Sequence, residues 1–176
     1  MSELTTLALA DRQRFRSGED WFVVSRVDGV LCTIVGATAE RTVDLLHVLS
    51  LNLDPAVDVR IRDVRSGRCW IGTLLGLPDV REAIGRLRLP LAAYGAVEVC
   101  LFTGDDQLTL TPELLLVIYS RTDRWSYLLD GMGLLERADV PLPTWIPSAT
   151  ALRQEPQLLQ AIESAAARLS LEEEVP

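Results

Sequence analysis

The sequence predicts an α+β fold with a mostly antiparallel sheet. Three observations carry this: runs of β-branched and aromatic residues meet in pairs at glycine-containing turns, apolar stretches of helical period lie between the pairs, and the order strand-strand-helix occurs twice. Three or four β-hairpins in ββα-type units are therefore expected, with helices packed on one face and an amphipathic helix at the C-terminus.

Ser2 can cap a first helix running to about Arg16, with Glu3 near its positive end. In "DWFVVSRVDGVLCTIVG", Asp28-Gly29 supplies the positive φ angles of a tight type I′ turn, placing strands at 20–27 and 30–36. Thr38 then caps "AERTVDLLHVLSLN", a largely apolar helix expected to stop at Asn52 before Asp54-Pro55.

"VDVRIRDVRSGRCWIGTLL" reads as a second hairpin. A two-residue Ser66-Gly67 turn would mix arginines with Ile71 on one face, whereas a three-residue turn over Arg65, Ser66 and Gly67 sorts the faces. The second is preferred. It turns Val57, Val59, Ile61, Cys69, Ile71 and Leu75 inward and leaves Asp58, Arg60, Arg62 and Trp70 outside. The following helix should start at Pro78 and end before Pro90.

A third hairpin turns at Gly104-Asp105-Asp106. Residues 110–133 admit two readings. Thr111, Pro112 and Glu113 could open one long helix, but Val117, Ile118, Tyr119, Trp125 and Tyr127 favour strands and "SRTDR" reads as a turn. The expectation is a hairpin with strands at about 113–120 and 124–130. Three prolines in "VPLPTWIPS" then mark an extended arm, and Leu158, Ile162, Ala165 and Leu169 repeat on one face of a final helix. The organisation expected is an α+β domain over 1–139, an arm over 140–147, a C-terminal helix over 148–171 packing on the domain, and a disordered acidic tail over 172–176.

At 176 residues the chain can bury a core without disulfides or metals. No apolar run approaches the ~20 residues a spanning helix needs, and the N-terminus carries Glu3 where a signal peptide needs basic residues. Neither a membrane nor an exported setting is expected. Three widely spaced cysteines, Cys32, Cys69 and Cys100, read as buried thiols of a reducing compartment. A cytoplasmic location follows.

The net charge of −8 opposes nucleic-acid binding. All 17 basic residues are arginine, the bias of a GC-rich bacterial genome, and the absence of lysine excludes Schiff-base chemistry and a P-loop. One histidine, His47, excludes HExxH and three-histidine zinc sites. No cofactor and no metal are expected.

Candidate chemistry is thin. Asp44 could orient His47 as a general base, although a structural histidine is the simpler reading. Asp105 and Asp106, with Glu113 nearby, could hold a cation or act as paired acids, but adjacent aspartates are ordinary in a hairpin loop. "DGMGLLE" has half of a dinucleotide fingerprint, with Glu136 where the third glycine belongs. The most distinctive surface feature is an Arg60, Arg62 and Trp70 cluster, in which guanidinium groups stack on the indole and suit an acidic partner; Trp145 in the arm is a second anchor.

The leading expectation is a non-enzymatic interaction or regulatory protein of adaptor, chaperone or immunity type, acting as a homodimeric binding module. High apolar content, 48%, and positive mean hydropathy support it. The second is a small-molecule sensor with an apolar cavity lined by Trp21, Tyr119, Trp125 and Tyr127. The third is a small hydrolase or isomerase using Asp105, Asp106 or His47.

Overall fold

A computed structural model describes residues 19–141 and 152–174. Among these, the chain is α+β, with four helices and one open nine-stranded sheet. The expected first helix, most of the arm with Trp145, and the last two residues lie outside the described residues.

The first hairpin forms as the Asp28-Gly29 turn dictates. Strands β1 (Trp21–Val27) and β2 (Val30–Gly36) pair with Val27 opposite Val30, and the two turn residues take φ of 50° and 81°. Helix α1 (Ala39–Leu49) starts where Thr38 accepts from the Arg41 N–H at 3.2 Å, and a 3-10 turn, Ser50–Asn52, ends it.

Strands β3 (Ala56–Asp63) and β4 (Cys69–Gly76) form the second hairpin, but Asp63 pairs with Arg68 across a four-residue loop. This corrects the three-residue turn. One extra residue in the loop reverses the alternation of β4 relative to β3: Ile61 faces Trp70, Arg60 faces Ile71 and Arg62 faces Cys69. Trp70 therefore points inward and is buried, while Cys69 and Ile71 share the arginine face. Two groups offset the mixed faces. Asp63 carboxylate oxygens accept from the Arg65 and Ser66 N–H groups, fixing the longer loop, and Arg68 covers Trp70 with its guanidinium 4.7 Å from the ring centre.

Helix α2 (Leu77–Tyr94) runs through Pro90 instead of ending before it. Proline at 90 removes the hydrogen bond to the carbonyl of Arg86, an exposed residue that water can serve, while Leu87, Leu91 and Ala92 keep the buried stripe continuous. Burial of that stripe outweighs the local penalty.

The third hairpin joins β5 (Val97–Phe102) to β6 (Asp106–Leu110), with Phe102 opposite Gln107. Only the first half of the expected fourth hairpin is a strand: β7 is Leu116–Ser120, and residues Arg124–Gly131 form helix α3. A strand would put Trp125, Tyr127 and Leu129 on one face. In the structure Trp125 and Leu129 are buried and Tyr127 is exposed, which is helical spacing. Two short strands were not anticipated. β8 (Leu135–Glu136) runs parallel to β1, and β9 (Glu172–Glu174) pairs with β4, so this part of the acidic tail is ordered. Between them helix α4 (Pro156–Arg168) buries Leu158, Ile162 and Ala165, as its periodicity predicts.

The strand order is β8-β1-β2-β7-β6-β5-β3-β4-β9, antiparallel throughout except β8 with β1. The registers divide the strand side chains into two faces. The inward face, with Phe22, Val35, Ile61, Val99, Leu108 and Ile118, joins the buried positions of the helices in one apolar cluster. Among the described residues no helix is long and apolar enough to cross a membrane.

Candidate functional site

The outward face is the distinctive feature. Its side chains alternate with those of the core, and none belongs to the apolar cluster that joins strands to helices. Following the registers from β1 to β4, it presents Trp21 and Val23, then Cys32 and Ile34, Val117 and Tyr119, Gln107 and Thr109, Cys100 and Phe102, Arg60 and Arg62, and Cys69 and Ile71. Seven strands spaced ~4.8 Å apart make it roughly 30 Å wide.

Charge is unevenly placed on it. The outward positions of β1, β2, β7 and β6 carry no charged side chain in a chain whose net charge is −8. Charges begin at β5 with Glu98, 3.6 Å from Arg62, and continue on β3 with Asp58 and Arg60. In the uncharged half Trp21, Val23 and Thr109 are buried, while Cys32, Ile34 and Val117 are half-buried and Tyr119 is exposed, so the apolar area open to water lies mainly along β2 and β7.

All three cysteines occupy this face and are free thiols. Burial raises the Cys69 thiol above its ordinary value, against the Arg60 Nε–H that reaches its sulfur at 3.4 Å. Burial likewise pushes Cys100 up to about 11, so both are protonated at neutral pH and poor nucleophiles. Tyr119 is raised as well, chiefly by neighbouring Cys32 and then by burial.

The structure divides the expected arginine–tryptophan cluster. Arg60 and Arg62 lie on the outward face, whereas Trp70 is buried on the inward one and stacks with Arg68 instead. Nor does it assemble the four aromatics of the expected cavity. Trp21 lies on the outward face over Gly36, where an added Cβ would meet the indole at 2.2 Å, and Tyr119 is on that face two strands along the sheet. Trp125 is in the core and Tyr127 is exposed on α3.

The acid–base candidates are held in structural roles. Asp44 accepts from Arg88 and not from His47. His47 faces Gly85 of α2, and burial first, then Arg81 and Arg88, hold its imidazole below the ordinary value. Asp106 is buried and accepts from Trp125 Nε1 at 2.8 Å and from Arg124. Asp105 is exposed in the turn. The glycine pair of "DGMG" lies at the C-terminal end of α3, where Gly133 has φ of 85° and carbonyl groups, not N–H groups, are left over, the wrong polarity for a phosphate. Among the described residues no three His, Cys, Asp or Glu side chains gather to hold a metal ion.

Sequence reasoning missed two ion-pair centres. Arg65 is buried and donates to the carbonyls of Tyr94 and Gly95, each at 2.5 Å, closing the end of α2. Arg68 joins Glu173 of β9 and Glu163 of α4. Their adjacency to a glycine turn was visible; their partners, far away in sequence, were not.

No protein-family model, curated protein or solved structure matches this chain.

Proposed function

We propose that the chain is a non-enzymatic interaction protein that works as a homodimer, two copies meeting through the uncharged half of the outward sheet face. One observation carries the reading: a strongly acidic chain keeps β1, β2, β7 and β6 free of charge on the side that does not feed the core. Two copies of charge −8 repel at most orientations, and this patch is where their close approach is least opposed. A two-fold axis near β2 and β7 sets Ile34, Val117 and Tyr119 against their own equivalents and leaves Arg60, Arg62 and Glu98 at the rim.

In this reading the four helices form one layer over the inward face in ββα units and leave the opposite face to the partner. The rim arginines then suit an acidic surface on a further protein, as an adaptor, chaperone or immunity protein of the bacterial cytoplasm would use. The roles held by Asp106, Asp44 and His47 favour this reading over the hydrolase alternative, and the scattering of Trp21, Tyr119, Trp125 and Tyr127 favours it over the sensor.

Sedimentation of the native chain and of Ile34→Glu tests it. A native dimer that becomes a folded monomer in Ile34→Glu is expected. A native chain that is monomeric at every concentration, or an Ile34→Glu variant as dimeric as the native chain, contradicts it.

A further inference from the structure

The edge of β4 lies at the far end of the sheet from the uncharged strands. β4 has eight residues, and β9 pairs with three of them, Cys69, Trp70 and Ile71. What holds β9 is acid-specific. Arg68 takes the Glu173 carboxylate in a two-pronged contact, Nε to Oε1 at 2.6 Å and NH2 to Oε2 at 2.7 Å, and stacks on Trp70 while doing so. On the outward side, Arg60 of the neighbouring strand β3 lies within electrostatic reach of Glu174. The direct contact with an acidic residue of β9 is therefore made by Arg68.

The tail occupies this edge incompletely. All three β9 residues are exposed, and the chain leaves the edge at Ser170, which takes φ of 53° to turn back into α4. Continuing the antiparallel register past Glu172 brings the position of residue 171 to Gly72 and that of residue 169 to Leu74. Leu171 does pack over Gly72. Leu169, however, is drawn into the core, leaving Leu74 82% exposed at a β-bulge, with φ of 54° and its N–H fixed by Asp58 at 2.8 Å. Leu74 thus stands uncovered beside the strand edge, at the place residue 169 would occupy.

We propose that the β4 edge is a binding site for an extended acidic segment of another protein, and that β9 is its intramolecular occupant, displaced when that segment binds. A free strand with carboxylates at the places of Glu172 to Glu174 and an apolar residue three positions before the first of them makes every contact the tail makes and also covers Leu74. The tail cannot do this, because its chain turns away at Ser170. The mode is strand addition, with backbone pairing supplying affinity and Arg68 supplying the preference for acid. Glu163, which also binds Arg68, holds the guanidinium in place during the exchange.

The test uses the full chain and a fluorescein-labelled peptide copying residues 169–176, read by fluorescence anisotropy. Glu173→Ala, at an exposed position, weakens the internal occupant and should bind the peptide at least tenfold more tightly than the native chain. Adding Arg68→Ala should abolish that gain, and a peptide with its three glutamates replaced by lysine should not bind. Equal affinity of the native chain and Glu173→Ala, absence of binding to both, or equal binding of the lysine peptide overturns the proposal. None of these variants touches the uncharged patch, so the oligomeric state should not change.

Discussion

Trp125 on α3 donates its indole N–H to Asp106 at the start of β6, 2.8 Å away, with Arg124 on the same carboxylate and its guanidinium 4.8 Å from the indole centre. This contact decides between strand and helix for residues 124–131. A buried indole needs an acceptor, and only a helical turn after β7 brings Trp125 back to the strand beside it.

Asp106 is therefore structural. Asp106→Ala leaves a buried indole donor unserved and should destabilise the fold by about 2–4 kcal/mol, whereas Asp106→Asn keeps an acceptor and should cost about 1–2 kcal/mol. Half-exposed Arg124 adds little of its own. Urea unfolding measures both, and the shift should fall in the midpoint and not in the slope.

Arg65 closes the end of α2 from a distant loop. Arg65→Met keeps the stem and removes the donors to Tyr94 and Gly95, and should destabilise by about 2–4 kcal/mol. Hydrogen exchange should show the loss first in the last turn of α2. An even loss across the whole chain would contradict that local role.

His47 sets a pH dependence whose sign follows from its lowered pKa. The unfolded chain takes up its proton near 6.5, the folded chain only at lower pH, so the unfolded state binds more protons in between. Stability is fully present above about 6.5 and falls as pH drops from there through the folded value. Arg81 and Arg88 face the imidazole, and Asp44 opposes them. His47→Gln should flatten the curve of unfolding free energy against pH above the carboxylate range; an unchanged slope contradicts the assignment.

Gly36 leaves space for an indole. An added Cβ would sit 2.2 Å from the Trp21 ring, so Gly36→Ala must push that ring outward, costing about 1–3 kcal/mol. Trp21 emission should shift to the red, and Trp21→Leu in the same chain should recover part of the stability.

Much of this architecture is legible from local chemistry. Asp28-Gly29, the Thr38 cap and the Leu158, Ile162, Ala165 stripe each specify their element without help from distant residues. Most of the failures have a long-range partner as their cause, the Asp63 loop being a local exception. Arg68 finds Glu173 and Trp70, and Asp63 binds its own loop, which together set the β4 register against face sorting. Trp125 finds Asp106, and burial of Leu91 and Ala92 carries α2 past Pro90. The candidate site was missed for the same reason. Its uncharged half draws on strands whose order, β1-β2-β7-β6, is not their order in the sequence.

Cys32 lies in the middle of that uncharged half and is its one half-buried thiol, Cys69 and Cys100 being buried. Its alkylation by iodoacetamide, followed by mass spectrometry across a wide range of protein concentrations, tests the proposed dimer face most directly. A rate that falls as concentration rises, in step with dimer formation, is the predicted result. A Cys32 rate independent of concentration while the chain dimerises would place the interface elsewhere and contradict the account.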